Sequence, residues 1–143
     1  MHHLAVMKKS WNFLEEIVSK EKTIESRWYK TKRNPWNKIY KKDSIYFKNS
    51  GECLTVKAEV ESVLQFQDIT PQQVKEILKK YGHNIGIKRN EIVKFTANLK
   101  DKKYCILIFL KNPTNIEPFE INKIGHGAMT AWICVENILE LKK

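Results

Sequence analysis

The sequence predicts an α+β fold: a small mixed, mainly antiparallel β-barrel with two or three helices packed over its openings. Three observations carry that expectation. Residues 54–66 alternate between apolar and polar side chains over an unusual length, residues 70–73 spell out a helix start, and residues 104–110 form an unbroken apolar run of β-formers.

The first strand is expected over residues 2–7. Ser10 is placed to cap a helix whose apolar positions Trp11, Leu14, Ile17 and Val18 recur at helical spacing. That helix fades near Lys20, because Thr23, Ile24, Ser26, Trp28 and Tyr29 suit extended chain better. Residues 30–42 form a loop broken at Asn34-Pro35. Ser44 to Lys48 gives the next strand, and Asn49-Ser50-Gly51-Glu52 a hairpin turn with glycine available for a positive φ. Beyond it, Leu54, Val56, Ala58, Val60, Leu64 and Phe66 alternate with Thr55, Lys57, Glu59 and Glu61, so one face is buried and one is wet. A strand of that length is expected to bend around a barrel.

Thr70 as cap, Pro71 at the first helical position and Gln73 three residues after the cap start a second helix. Val74, Ile77, Leu78 and Tyr81 form its apolar face, and Gly82 is expected to end it. A further helical piece covers Glu91 to Leu99. Tyr104 to Leu110 then makes a central strand buried on both faces. Residues 115–121 and 130–135 follow as strands around Gly125-His126-Gly127, a loop open to a ligand-contacting role or to that of a plain tight turn.

The 143 residues, with six Phe, five Tyr and four Trp, supply a core without disulfides, so one domain is expected over residues 1–143, with 68–101 as a helical insertion. No apolar run reaches bilayer length, and the opening stretch is too short for a signal-peptide core; the expectation is a cytoplasmic monomer with no membrane association. Cys53, Cys105 and Cys134 form no CxxC pair, and His2, His3, His83 and His126 have no ligand spacing, so no metal and no cofactor are expected. There is no P-loop, dinucleotide fingerprint or GxSxG.

Charge narrows the partner. Against 16 Asp+Glu stand 26 Lys+Arg, a net +10. From Lys20 to Lys42, nine basic residues face only Glu21 and Glu25, which places +7 in that segment. A cationic cluster of this kind favours a polyanionic partner. Trp28, Tyr29 and Trp36 lie among Arg27, Lys30, Lys32, Arg33 and Lys38. Flat rings stack on bases and cations follow phosphates, so the mixture suits single-stranded or looped RNA. The plainer alternatives are that Trp28 and Trp36 are core residues and that the lysines are solvated loop charges. Lys8, Lys9 and Ser10 precede the first helix, where free N–H groups can hold a phosphate or be satisfied by ordinary capping.

The stretch Glu21-Lys22-Thr23-Ile24-Glu25-Ser26-Arg27-Trp28 resembles the signature of the ASCH family, a branch of the PUA-like barrels, whose motif is Gly-x-Lys-x-x-Glu-x-Arg between the first helix and the second strand. Lys22, Glu25 and Arg27 match in type and spacing, and Lys42-Asp43-x-Ile45 resembles the family's entry into the next strand. The family's glycine is Lys20 here, so the turn before the motif must be made without a free positive-φ residue, or not made. The resemblance spans roughly residues 2–66 and 103–138. It implies a cleft for RNA or a nucleotide-like ligand, with Lys22, Glu25 and Arg27 as its floor and Trp28, Trp36 and the basic loop as its rim.

A strand period of two puts Thr23, Glu25 and Arg27 on one face, leaving Glu25 and Arg27 as a ligand-reading pair or as a structural ion pair. Lys22, at the helix–strand junction, is free to point differently. A second implication is enzymatic: some small ASCH proteins are amidohydrolases acting on N4-acetylcytidine, their motif lysine working with a threonine three residues later. Lys22 and Glu25 would be the catalytic candidates, but Glu25 stands where that threonine is needed and Thr23 is at the wrong spacing. A third is a regulatory adaptor whose basic loop meets an acidic protein.

Overall fold

Alternating side chains make strands wherever a face can be buried, and here they make six: β1 (His2–Met7), β2 (Ile24–Tyr29), β3 (Ser44–Asn49), β4 (Leu54–Gln67), β5 (Tyr104–Phe119) and β6 (Trp132–Val135). In the computed structural model, which describes residues 1–143, they form one sheet in the order β2-β5-β4-β3-β1-β6. Only β1 and β3 run parallel; the other neighbours are antiparallel. Three α-helices accompany the sheet: α1 (Phe13–Val18), α2 (Pro71–Ile85) and α3 (Ile92–Asn98).

The sheet curls but does not close. β2 and β6 end the strand order and share no ladder, so the barrel expected from the sequence is an open half-barrel. Pairing shifts between Lys57 and Glu59 and between Val60 and Ser62 bend the long β4. Its inner residues Leu54, Val56, Ala58 and Val60 are buried, whereas its far half is largely exposed.

Two residue sets divide β5. Ile106, Ile108 and Leu110 face the concave core with Ala5, Phe47, Val56 and Ile17, while Cys105 and Leu107 face Val74, Ile77 and Leu78 of α2. Four consecutive buried residues, Cys105 to Ile108, confirm a strand covered on both sides. Each such aliphatic side chain contributes about 1.5–3 kcal/mol by leaving water. The expected separate strand over 115–121 is instead the far half of β5, which continues through Asn112 at φ 52° and Pro113.

Helix boundaries account for the other differences. Thr70 and Gln73 form the complete capping box at α2, but the helix runs through Gly82 and stops at Gly86, which adopts φ 101°. Gly82 is buried against Ile87, and continued burial through Ile85 outweighs the cost of a mid-helix glycine. Ser10 does not cap α1. It lies in a 3₁₀ turn over Lys9–Trp11, and α1 begins only after Asn12 in the left-handed region. The turn before the motif is made all the same: Lys20 takes φ 70°, a conformation costing a non-glycine residue about 1–2 kcal/mol.

Candidate functional site

The left-handed turn at Lys20 folds the chain back, so the Lys22 amide donates to Glu16 O at 2.9 Å. The Lys22 side chain is thereby driven under α1. Its Nζ donates to Ile24 O at 2.7 Å and to Ile85 O at 2.5 Å, and lies 4.4 Å from the centre of the Phe13 ring. Ile85 closes α2, so the ammonium sits at a helix C-terminus, where a positive charge is favoured. Burial still dominates: it pulls the Lys22 pKa below the ordinary lysine range, with Glu25 opposing and Arg27 reinforcing the shift.

Glu25 is the neighbour in β2, only 3% exposed. Its Oε1 accepts the Ser26 amide at 2.9 Å and lies 3.9 Å from Lys22 Nζ. Its Oε2 lies 3.9 Å from an Arg27 guanidinium nitrogen and accepts no hydrogen bond. These are loose ion contacts, not fork-to-fork pairs. Arg27 is held from other directions: it donates to Val6 O at 3.4 Å and Ala131 O at 3.5 Å, contacts Met7 Sδ at 3.3 Å, and lies 5.0 Å from the centre of the Trp132 ring. It thus reaches from edge strand β2 to the opposite edge of the half-barrel, across the gap that no ladder spans.

Glu25 and Arg27 face a cleft of about 270 Å³. Glu25, Ser26, Arg27, Trp28 and Tyr29 from β2 form one side, and Val6, Met7, Trp11 and Phe13 another. Ile85, Ile87, Phe95 and Leu99 close it from the helical side. Four buried side-chain polar atoms in the chain lack a partner: Glu16 Oε2, Glu25 Oε2, Trp36 Nε1 and Asn49 Oδ1. Of these residues only Glu25 lines the cleft.

The residues singled out in the sequence separate into three groups. Lys22, Glu25 and Arg27 do come together, Lys22 lying behind the wall with its side chain fully enclosed. Trp28 lines the cleft while its indole N–H donates to Ser26 Oγ at 3.0 Å and its ring packs on the α2 core, so the two readings of that residue combine. Trp36 is not at the rim: it is 9% exposed, in the main core, edge-on to Tyr104. Lys30, Lys32 and Arg33 are exposed, and Lys30 pairs with Asp101 at 2.9 Å. Lys9 and Ser10 are exposed in the 3₁₀ turn, with Lys9 bound to Glu52 at 2.7 Å, which leaves no α-helix N-terminus for them to serve.

Sequence reasoning missed Trp11, Phe95 and Leu99 as cleft residues. Trp11, assigned to the apolar face of the first helix, is 49% exposed over the opening. Its helical spacing from Leu14 pointed to the core, so no local signal marked it as a cleft residue. Phe95 and Leu99, four residues apart, lie on one face of the α3 segment, but nothing local says what that face meets.

No protein-family model matches the chain, and no curated protein matches it by sequence. Solved structures do match. The ASCH protein of Zymomonas mobilis superposes with a TM-score of 0.69 at 14% identity, covering 95% of this chain and 88% of that one. A point variant of the same protein gives 0.68 at 14% identity, covering 95% and 89%. The N-terminal domain of McrB from Staphylothermus marinus gives 0.60 at 11% identity, covering 94% and 87%. At such identities the likeness is one of fold. The chain has the fold of an ASCH domain, the architecture that Lys22, Glu25 and Arg27 imply.

Proposed function

We propose that this protein is a nucleic-acid-binding module that seats a base of RNA, or a nucleotide-like ligand, in the cleft beside β2. One observation carries the reading: Glu25 Oε2, buried beside the Arg27 guanidinium and without a hydrogen bond, belongs to a side chain lining a hollow walled by Trp11 and Trp28. A buried carboxylate oxygen left unsatisfied is costly, and a ligand N–H supplies the missing donor. Base amino and ring N–H groups are such donors, and the indoles offer faces for the ring to stack on. A hollow of about 270 Å³ falls just below the range of about 300–1,000 Å³ usual for drug-sized ligands, which suits a single base or nucleoside.

The exposed cations of the 30–42 loop add attraction that is not base-specific. An acidic protein partner would meet the same loop. No helix is long and apolar enough to cross a membrane.

Geometry supports binding over catalysis. An amidohydrolase acting through Lys22 needs its amine at the substrate, yet Nζ is spent on two carbonyls behind the wall. Glu25 offers a carboxylate where the related deacetylating enzymes use a hydroxyl. Quenching of tryptophan fluorescence by single-stranded RNA, titrated across salt, tests the proposal. Saturable quenching that weakens as salt rises is expected; no quenching, or binding indifferent to salt, rejects it. Incubation with N4-acetylcytidine, followed for cytidine release, is expected to show no turnover.

A further inference from the structure

A second hollow adjoins the cleft. It is a more open groove of about 700 Å³ between the turn at Arg33-Asn34 and the loop running from Gly127 to Trp132. Tyr29 lines both hollows, and its hydroxyl donates to Asn34 O at 2.9 Å, fixing the turn that forms one bank. The other bank is tied by Lys123, whose Nζ donates to Ala128 O at 2.6 Å and Thr130 O at 3.2 Å.

Arg27 forms the divide. It donates to Val6 O on the cleft side and to Ala131 O on the groove side, and lies over Trp132, which lines the groove. At the far bank Arg33 is exposed, and its guanidinium makes no hydrogen bond or salt bridge within the chain.

Resting on the nucleic-acid reading above, we infer that the groove is a second nucleotide subsite: the occupant is a single strand, with one base in the cleft, the linking phosphodiester over Arg27 and the adjoining nucleotide against Arg33. The cleft has room for one base, whereas the groove is more than twice as large and open, as a whole nucleotide requires. A phosphodiester carries its charge at the joint between two nucleosides, and the fixed cation stands at the joint between two hollows. A duplex cannot enter, because a paired base has its Watson–Crick edge engaged and both faces stacked within the helix. A free nucleoside would fill the cleft and leave Arg33 without a role.

Fluorescence anisotropy and quenching with four probes test this: a randomised single-stranded RNA decamer, its DNA counterpart, the RNA annealed to its complement, and a mixture of nucleoside monophosphates. The decamer RNA is expected to bind at least about tenfold more tightly than the monophosphates and than the duplex. Arg33→Ala, and independently Ala128→Phe to fill the groove, should each weaken the decamer several-fold. Ala128→Phe should leave monophosphate binding unchanged, and Arg33→Ala should lower the salt slope of decamer binding by about one. The DNA decamer sets the sugar: equal affinity assigns the subsite to single strands of either kind, and weaker affinity assigns it to RNA. Monophosphates that bind as well as the decamer, or a decamer indifferent to both substitutions, overturn the second subsite and leave the cleft reading standing. Failure of every probe to bind overturns both.

Discussion

Two buried polar clusters meet at Trp132, and they are completed to different degrees. On one side of the indole, His3 Nε2 donates to Asp43 Oδ2 at 2.9 Å and His3 Nδ1 accepts the Trp132 N–H at 3.1 Å. Asp43 Oδ2 also accepts the Tyr40 amide at 3.0 Å, and its Oδ1 accepts from the terminal ammonium of Met1 at 3.4 Å. Every polar atom of that cluster has a partner inside the chain. On the other side, Arg27 lies over the same ring, and beyond it Glu25 Oε2 has none. A completed network rigidifies a fold; one left short by a single donor, at the wall of a hollow, is a place for something else to bind. On the proposed reading the unpartnered oxygen of the second cluster governs affinity, while the completed contacts govern stability, and substitutions should separate the two.

The sharpest loss of stability is expected from Lys22→Met. It removes the donor to Ile24 O and Ile85 O and leaves Glu25 without one of its cations, for about 3–5 kcal/mol in urea unfolding. His3→Ala follows at about 3 kcal/mol, because Asp43 and the Trp132 N–H lose their partner together, while RNA affinity changes little. Glu25→Gln should show the reverse pattern. It keeps the size and the acceptor for the Ser26 amide, loses at most about 1–2 kcal/mol of stability, and weakens RNA binding about tenfold or more.

Acid should reach the completed cluster first. Burial depresses the His3 pKa despite the opposing hydrogen bond and charge of Asp43. The unfolded chain therefore binds a proton more readily than the folded one. The stability from neutral His3 is complete above the ordinary value of 6.5 and is lost as pH falls from there through the lower folded value. His2, also lowered by burial, adds to the same slope. Urea midpoints measured from neutral to mildly acidic pH should fall, and His3→Gln should flatten that fall. The smallest effect is a gain: Lys20→Gly relieves the left-handed residue and should add about 1 kcal/mol.

The same contrast explains how much was legible in the sequence. Local signals were legible: the period of two along β4, the Thr70–Gln73 box, and the Lys22, Glu25, Arg27 spacing that brings three charges together across one turn and one strand. Where two local signals competed, burial decided. The stop expected at Gly82 competed with the apolar spacing that continues to Ile85, and the burial of Ile85 carried the helix on to Gly86. Trp36, between Pro35 and Asn37 in a basic loop, was open to a rim or a core reading, and packing on Tyr104 makes it core. Contacts across long sequence separations left no trace. His3 meets Asp43 and Trp132 only because β1 lies between β3 and β6, and the gap Arg27 spans is a property of how far the sheet curls. The cleft was therefore half visible, its charged β2 wall present in the motif and its Trp11, Phe95 and Leu99 walls supplied by tertiary packing.

The most direct test of the unpartnered oxygen is one paired titration. Wild-type protein and Glu25→Gln are titrated with the single-stranded RNA decamer at fixed salt, with urea midpoints recorded on the same samples. The account predicts an affinity loss of about tenfold or more, with the midpoint lowered by no more than a loss of about 1–2 kcal/mol produces. Equal affinity for both proteins, with both folded, would contradict it.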